Sequence, residues 1–389
     1  MSIQEQIVQA IDAAADRVID VSRRIHATPE LRFEEHFAAT TLTAALSGFG
    51  LSAQQPVGGL ATAFRAEVGQ GAGPKVAILA EYDALPNGHA CGHNLIAGAA
   101  LGATVGLAAI QEQLPGRAVL LGTPGEEGGG GKVMLIDSGA FADIDAALMF
   151  HPFDRTLLTN PALANQWITF TFHGKNSHAA AAPWDGYSAL SGVIQTFNLI
   201  DNARLHFRDG TRIHGIITDG GKAVNVIPQT AQAMFSVRAF RVEALTPVSA
   251  RVVKCAEAAA LATGTGVDIE VRHGYKDMRD NLTMARRFGE HLRALGVTFQ
   301  ERDPEAGFGS TDMGDVSYAV PAIHPYLAIC DIGETMCHQD AFVECANSQR
   351  GYQAMLNAAK AMALTTYDLL TQAELLATAK DEWRLGKGR

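Results

Sequence analysis

The pentapeptide His89-Ala90-Cys91-Gly92-His93 gathers one thiol and two imidazoles within five residues. Thiolate and imidazole together suit zinc or a similar divalent transition ion. A buried thiol between two hydrogen-bonded histidines would read the same way, and the spacing leaves open which histidine faces an ion. Further along, Glu126-Glu127 follows the apolar run 118–123 and precedes the glycines at 128–131. Adjacent carboxylates at a strand end suit a division of labour, one as metal ligand and one as general base, although a solvated acidic turn has the same composition. A phosphate loop does not fit. Glu126 stands where that loop's first glycine belongs, Val133 where Ser or Thr is needed, and two carboxylates repel phosphate. His151-Pro152 and the segment Cys337-His338-Gln339-Asp340 supply two further imidazoles, each of which alone is more often structural than ligating.

Such scattered residues need a scaffold that brings them together, and the hydrophobic pattern supplies one. Short apolar runs at 75–81, 118–123 and 146–151 alternate with helical patterns from Asn94 and near Lys132. That alternation predicts an α/β sheet with parallel strands. The polar residues at 81–93, 124–127 and 151 directly follow the runs, where open α/β sheets bind ligands. Residues 1–30 read as an amphipathic first helix, with Ile7, Ile11, Val18 and Ile25 near helical spacing and no signal-peptide core.

From about residue 164 the pattern changes. A strand (QWITFTFHG), a helix over 184–207, strands at 213–218 and 230–240, a helix at 245–263 and a strand at 266–272 follow in turn. Strand-helix-strand-strand-helix-strand is the order of a ferredoxin-like α/β sandwich. A helix at 281–295, the strand-like AIHPYLAI and two closing helices complete the chain. We therefore expect an α/β fold with a mixed-sheet catalytic domain, residues 1–163 and 277–389, interrupted by a ferredoxin-like lid domain at 164–276.

Composition narrows the class. At 389 residues the chain exceeds the usual limit of a single core. With 47% hydrophobic and 19% charged residues and no long apolar run, it reads as globular, without a membrane span or extended disorder. A formal net charge of -10 and the lack of a Lys/Arg block argue against nucleic-acid binding, so an anionic substrate must be held by a few placed cations. Five cysteines, Cys91, Cys255, Cys330, Cys337 and Cys345, are an odd number that suits free thiols in a reducing, cytoplasmic setting.

Taken in order, the motifs AEYDALPNGHACGHN (80–94), GTPGEEGGGGK (122–132), HP (151–152), HGKNSHA (173–179), VNVIP (224–228), GSTDMGDVS (309–317) and CHQDAF (337–342) span nearly the whole chain. This text resembles the superfamily of two-metal aminoacylases and glutamate carboxypeptidases, zinc-type metallopeptidases. It resembles most closely the amidohydrolase branch of p-aminobenzoyl-glutamate hydrolases and related dipeptidases. The resemblance implies that Cys91, His93, Glu127, His151 and His338 ligate two divalent ions, zinc first, with manganese or cobalt as alternatives. It implies Glu126 as catalytic base and Asp83 as the group that orients a ligand. In this branch Cys91 replaces a bridging carboxylate, which changes metal preference and sensitivity to oxidation. The segment between Pro86 and Cys91 is about one residue shorter than in many relatives, which leaves the role of His89 open.

In the carboxypeptidase relatives a lid His, Asn and Arg hold the substrate's amide carbonyl and carboxylate. His178, Asn225 and Arg238 fall on those motifs, and Gly309 and Ser310 are further substrate-binding candidates. The resemblance also implies a homodimer formed through the lid, with His178 acting in its own or the partner's site. The expected reaction is hydrolysis of an amide beside a free carboxylate, in an N-acyl amino acid, an aminobenzoyl-glutamate-like amide or a dipeptide, by metal-activated water. A zinc deaminase would require a P-C-x-x-C segment, and a serine hydrolase a G-x-S-x-G elbow; neither is present. A catalytically silent binding protein of the same fold would be signalled by loss of Glu126 or a ligand, yet all are retained.

Overall fold

The apolar run at 75–80 is a strand buried along almost its whole length, and the sheet around it organises the first of two compact units. The computed structural model describes residues 1–303 and 309–386. Its first unit is Met1–Pro161 with residues 278–303 and 312–386, and its second is Ala162–Asp277 with Gly309–Thr311.

In the first unit α1 (Ile3–Ala27) and α2 (His36–Gly48) precede β1 (Ala53–Gln54), β2 (Phe64–Val68) and β3 (Lys75–Ala80). Next come α3 (His93–Ala108), β4 (Arg117–Gly122), α4 (Gly131–Asp137), β5 (Ala146–Leu148) and β6 (His151–Phe153). The insert contains β7 (Ala164–His173), α5 (Ala189–Ala203), β8 (Arg212–Asp219), β9 (Thr230–Ala239), α6 (Val242–Thr263) and β10 (Gly266–His273). The chain then returns to the first unit with α7 (Leu282–Ala294), α8 (Met313–Ala319), β11 (Ala322–Ile323) and β12 (Tyr326–Ala328). It closes with α9 (Asp340–Cys345), α10 (Gln349–Thr371) and α11 (Ala373–Arg384).

The sheet of the first unit runs β1-β2-β4-β3-β5-β11 and is mixed: β3 is parallel to β4 and β5, whereas β2 is antiparallel to β1 and β4. Burial on both faces explains why the central strands are continuous apolar runs rather than alternating ones. Helix α3 is buried from His93 to Leu107 and lies against α1 and α10. Its glycines permit that approach: a Cβ on Gly98 would fall 2.3 Å from Met355 Sδ, and one on Gly106 2.7 Å from Ile11. Ile7, Ile11, Val18 and Ile25 form the buried stripe of α1, whose start is fixed by a capping box between Ser2 and Glu5.

The run expected as one strand at 146–151 is two. β5 stays in the main sheet, while β6 pairs in parallel with β12. AIHPYLAI divides likewise into β11 and β12, because Pro325 between them has no N–H to give a ladder. This division places His151 beyond the sheet's end, where its N–H donates to the Pro325 carbonyl at 2.9 Å.

In the insert the order β10-β7-β9-β8, antiparallel throughout, is that of a ferredoxin-like sheet. Ile168, Phe170, Phe172, Phe235 and Val237 alternate onto one face and form a core with Val252 and other residues of α5 and α6. The helix expected over 184–207 is shorter. Pro183–Asp185 makes a single 3₁₀ turn, Tyr187 pairs with Lys175, and α5 begins after Ser188, whose hydroxyl caps Ser191. Among the described residues, no helix is long and apolar enough to cross a membrane.

Candidate metal centre

Three strand ends of the first unit converge on the predicted ligands. His93 opens α3 behind Gly92, which takes a left-handed φ of 74° that a side chain would disfavour. Its Nδ1 lies 3.0 Å from both the carbonyl and the Oδ1 of Asp83. Both are acceptors, so Nδ1 carries the proton and Nε2 is the face turned to the cluster. The second Asp83 oxygen accepts the N–H of Glu127 at 2.9 Å, so one carboxylate fixes an imidazole and a turn together. His151 is held similarly: Nδ1 donates to the Pro152 carbonyl at 2.7 Å, and Nε2 stands 3.5 Å from Cys91 Sγ. Tyr326 stacks on the His151 ring with centroids 5.2 Å apart, and His324 meets it edge-on at 5.5 Å.

His338 has a left-handed φ of 76°, rare for a side-chain-bearing residue, and is held by its N–H on the Ala90 carbonyl at 2.8 Å. Its Nε2 lies 3.4 Å from Glu127 Oε1. Donor atoms of Cys91, His93 and His151, of Cys91, Glu127 and His338, and of His93, Glu126 and Glu127 form three groups, each within 4.8 Å of one another. His89 is turned elsewhere. Its Nε2 donates to the Ile25 carbonyl at 3.1 Å, and its ring stacks on His26, so it ties the loop to the end of α1.

Sequence reasoning did not single out Glu81, Lys132 and Asp312. Lys132 is fully buried; its ammonium contacts Glu81 Oε1 and sits 2.7 Å from Asp312 Oδ1. Oxygens of Glu81 and Asp312 come within 4.8 Å of one from Glu126. The signal was present, since each lies inside a quoted motif and Glu81 directly follows a buried strand, where a charge requires a partner.

The charges oppose one another strongly. Burial first, then the Glu81 and Asp312 carboxylates, push Glu126 well above the usual carboxylate range. Burial works to neutralise His93, yet Asp83 and Glu81 raise it well above an ordinary imidazole. The Cys337 thiol, followed by burial, pushes Cys91 well up. Burial and then the charge of His93 lower His151 to about 4. Carboxylates thus crowd a buried space around a single ammonium. His93 Nε2, Glu81 Oε2 and Glu127 Oε1 are buried there without a hydrogen-bond partner. Buried polar atoms that meet only at 3.4 Å and make no hydrogen bond, amid excess negative charge and with both imidazoles fixed to present Nε2, fit divalent cations.

The remaining candidates stand on the insert. His178 is exposed; its Nδ1 accepts the N–H groups of Ala180 and Ala181 at 3.2 and 3.1 Å, which leaves the proton on Nε2. Asn225 lies beside it, with its carbonyl accepting the N–H of Ala179 at 3.0 Å and Val226 bridged to His178. Arg238 is half-buried on β9, opposite Arg212 of β8, and its Nε reaches Ser236 Oγ at 3.4 Å. Gly309 accepts the N–H of Leu163 at 2.8 Å, and Ser310 Oγ is buried without a partner.

Fold and site define a metal-dependent amidohydrolase, a catalytic α/β domain with a lid domain. The chain belongs to Peptidase family M20/M25/M40, whose sequence profile it matches over residues 77–361. It is similar to the Xaa-Arg dipeptidase of Mus musculus, 39% identical over 98% of this chain and 92% of that protein. It is 30% identical to one of the polypeptides of the p-aminobenzoyl-glutamate hydrolase of Escherichia coli (strain K12), over 97% and 94% of the two chains. Among solved structures, a dinuclear metal-binding M20 peptidase of Bacillus subtilis shares the fold with a TM-score of 0.72 at 22% identity, covering 92% of this chain and 99% of that one.

Proposed function

We propose that this chain is a two-metal dipeptidase that releases a C-terminal amino acid, arginine in particular, from small peptides with a free carboxylate. The observation that carries the reading is the set of orphaned, buried donor atoms around His93 and Glu127. Cys91, His93, Glu127, His151 and His338 would hold two divalent ions, which supply Lewis acidity and lower the pKa of water. Thiolate and imidazole favour zinc, with manganese or cobalt as alternatives.

Asp83 keeps His93 in one tautomer and holds the Glu127 turn, so the ligand set is preorganised. Glu126 takes a proton from the attacking water and delivers it to the leaving amine. His178, protonated at Nε2, donates to the amide oxygen as negative charge develops there. Arg238 receives the free carboxylate through parallel hydrogen bonds, supported by Asn225, Gly309 and Ser310.

Similarity to the Xaa-Arg dipeptidase supports arginine on the leaving side, and the formal charge of -10 draws a cationic side chain inward at long range. We place the enzyme in the cytoplasm, in keeping with its free thiols. We further propose a homodimer formed through the insert, supported by the edge strand β8, which exposes Ile216 and Ile217. A hydrolysis panel of Xaa-Arg, Xaa-Lys and neutral dipeptides, aminobenzoyl-glutamate and N-acetyl amino acids tests the substrate. The expected order places Xaa-Arg first in kcat/KM. A preference of about tenfold or more for aminobenzoyl-glutamate or an N-acetyl amino acid would reject the dipeptide assignment.

A further inference from the structure

The turn that carries Glu126 and Glu127 is gripped by residues 30–35, a stretch with no part in the steps above. Glu35 is buried, and its Oε1 accepts the N–H groups of Gly125 at 2.8 Å and Phe33 at 2.7 Å, while Oε2 accepts the Thr62 hydroxyl at 2.9 Å. Phe33 holds a left-handed φ of 66°, uncommon for a bulky residue. That conformation lays its ring against the glycines: a Cβ on Gly125 would fall 2.6 Å from the ring, and one on Gly129 2.7 Å. Arg32 Nη1 donates to the Glu127 carbonyl at 2.8 Å. The carboxylate pair is therefore held on both sides, through the N–H before it and the carbonyl at its end.

The gripping stretch is itself anchored. The Glu30 carboxylate accepts the N–H groups of Phe37 and Ala38 at 2.9 and 3.0 Å, at the start of α2. The Glu30 carbonyl accepts the N–H of Ala84, next to Asp83, at 2.8 Å. One short segment thus ties together the Asp83 loop and the Glu126-Glu127 turn.

We propose that residues 30–35 are a positioning brace for the general base and its neighbouring ligand, with Glu35 acting through Gly125 and Arg32 through Glu127. The inference rests on the reading of Glu126 as base and Glu127 as ligand. Glu35 serves as a hydrogen-bond acceptor, so glutamine can replace it: an amide oxygen takes the place of Oε1, and the amide nitrogen donates to Thr62.

The test compares wild type, Glu35→Ala, Glu35→Gln and Arg32→Ala, with Glu126→Gln as a control. Steady-state hydrolysis of an Xaa-Arg dipeptide gives kcat and KM, and equilibrium dialysis against zinc gives metal affinity without reference to turnover. Glu35→Ala should lower kcat at least about tenfold with KM within about threefold, and weaken zinc binding roughly tenfold; Glu35→Gln should restore both to within about threefold. Arg32→Ala, at an exposed side chain, should shift both readouts a few-fold the same way with an unchanged melting temperature. Wild-type kcat and zinc affinity in a folded Glu35→Ala protein would overturn the proposal, as would a Glu35→Gln protein no better than Glu35→Ala. If Glu35→Ala does not fold, wild-type values in Arg32→Ala overturn it. Full turnover by Glu126→Gln is a separate failure, because it removes the reading of the site and not only the brace.

Discussion

His93 and His178 are both imidazoles assigned to one reaction, yet their surroundings differ in every respect. His93 is wholly buried, its Nδ1 fixed by Asp83 and its Nε2 turned among carboxylates. His178 is exposed on a loop of the insert, where backbone N–H groups alone set its tautomer. The difference extends to their neighbours. Around His93 the charges are linked in series, Asp83 and Glu81 on the imidazole and Glu81 and Asp312 on the Lys132 ammonium, whereas Arg238 has one long hydrogen bond to Ser236 and faces a second arginine across the strands. Metal ligands must be preorganised, and rigidity there comes from buried charge; groups that receive a substrate must stay unsatisfied until it arrives.

Breaking the network should show this contrast most strongly. Lys132→Met leaves Glu81 and Asp312 buried without their cation, and we expect a loss of about 3–5 kcal/mol in urea unfolding, against less than about 1 kcal/mol for Arg238→Met. Equal costs at the two positions would remove the distinction. Glu126→Gln comes next. It should keep fold and metal while lowering kcat at least about a hundredfold, because coordination survives and proton transfer does not. Near-normal turnover of the metal-replete variant would rule out Glu126 as the base.

These two cases also show what was legible beforehand. Glu126 could be singled out because adjacent carboxylates at a strand end before a glycine run suit one ligand and one base. Lys132 could not, because a lysine at a helix start reads as solvated until the tertiary fold buries it between Glu81 at a strand end and Asp312 at the start of α8. The parallel α/β centre of the first unit and the ferredoxin-like order of the insert followed from period and order of the apolar runs, whereas the antiparallel strands β1 and β2 that make the sheet mixed did not. The division of 146–151 into β5 and β6 did not, since an apolar run carries no mark of which sheet each half joins. Spacing alone also left His89 and His93 equivalent; the Ile25 carbonyl, which holds the first, and Asp83, which holds the second, separate them.

A smaller effect is expected from the insert. Arg238→Lys keeps the charge but loses the planar fork, so KM should rise roughly tenfold with kcat within about threefold. Masking the substrate carboxylate as an amide should cost wild type much and Arg238→Ala little. The same loss in both enzymes would mean that Arg238 does not read that group.

The smallest effect concerns a buried acid outside both regions. Burial pushes the Asp280 carboxyl up to about 8, against backbone hydrogen bonds from His324 and Asn160 that lower it. The native state therefore holds a proton that the unfolded chain, with an ordinary aspartate, releases above about pH 4. Asp280's contribution to stability is full below that point and is lost as the pH rises toward 8. Relative to Asp280→Asn, wild type should lose about 1 kcal/mol between about pH 7 and 8, measured by urea unfolding at each pH. Parallel profiles for the two proteins would show that Asp280 is ionised in the fold.

The central claim is that the cluster of Cys91, His93, Glu127, His151 and His338 binds two divalent ions on which hydrolysis depends. Titration of chelator-treated protein with zinc or manganese, following turnover of an Xaa-Arg dipeptide, tests it most directly. We predict no turnover without metal and a plateau near two equivalents per chain. Full turnover in the metal-free protein, or a plateau at one equivalent, would contradict the account.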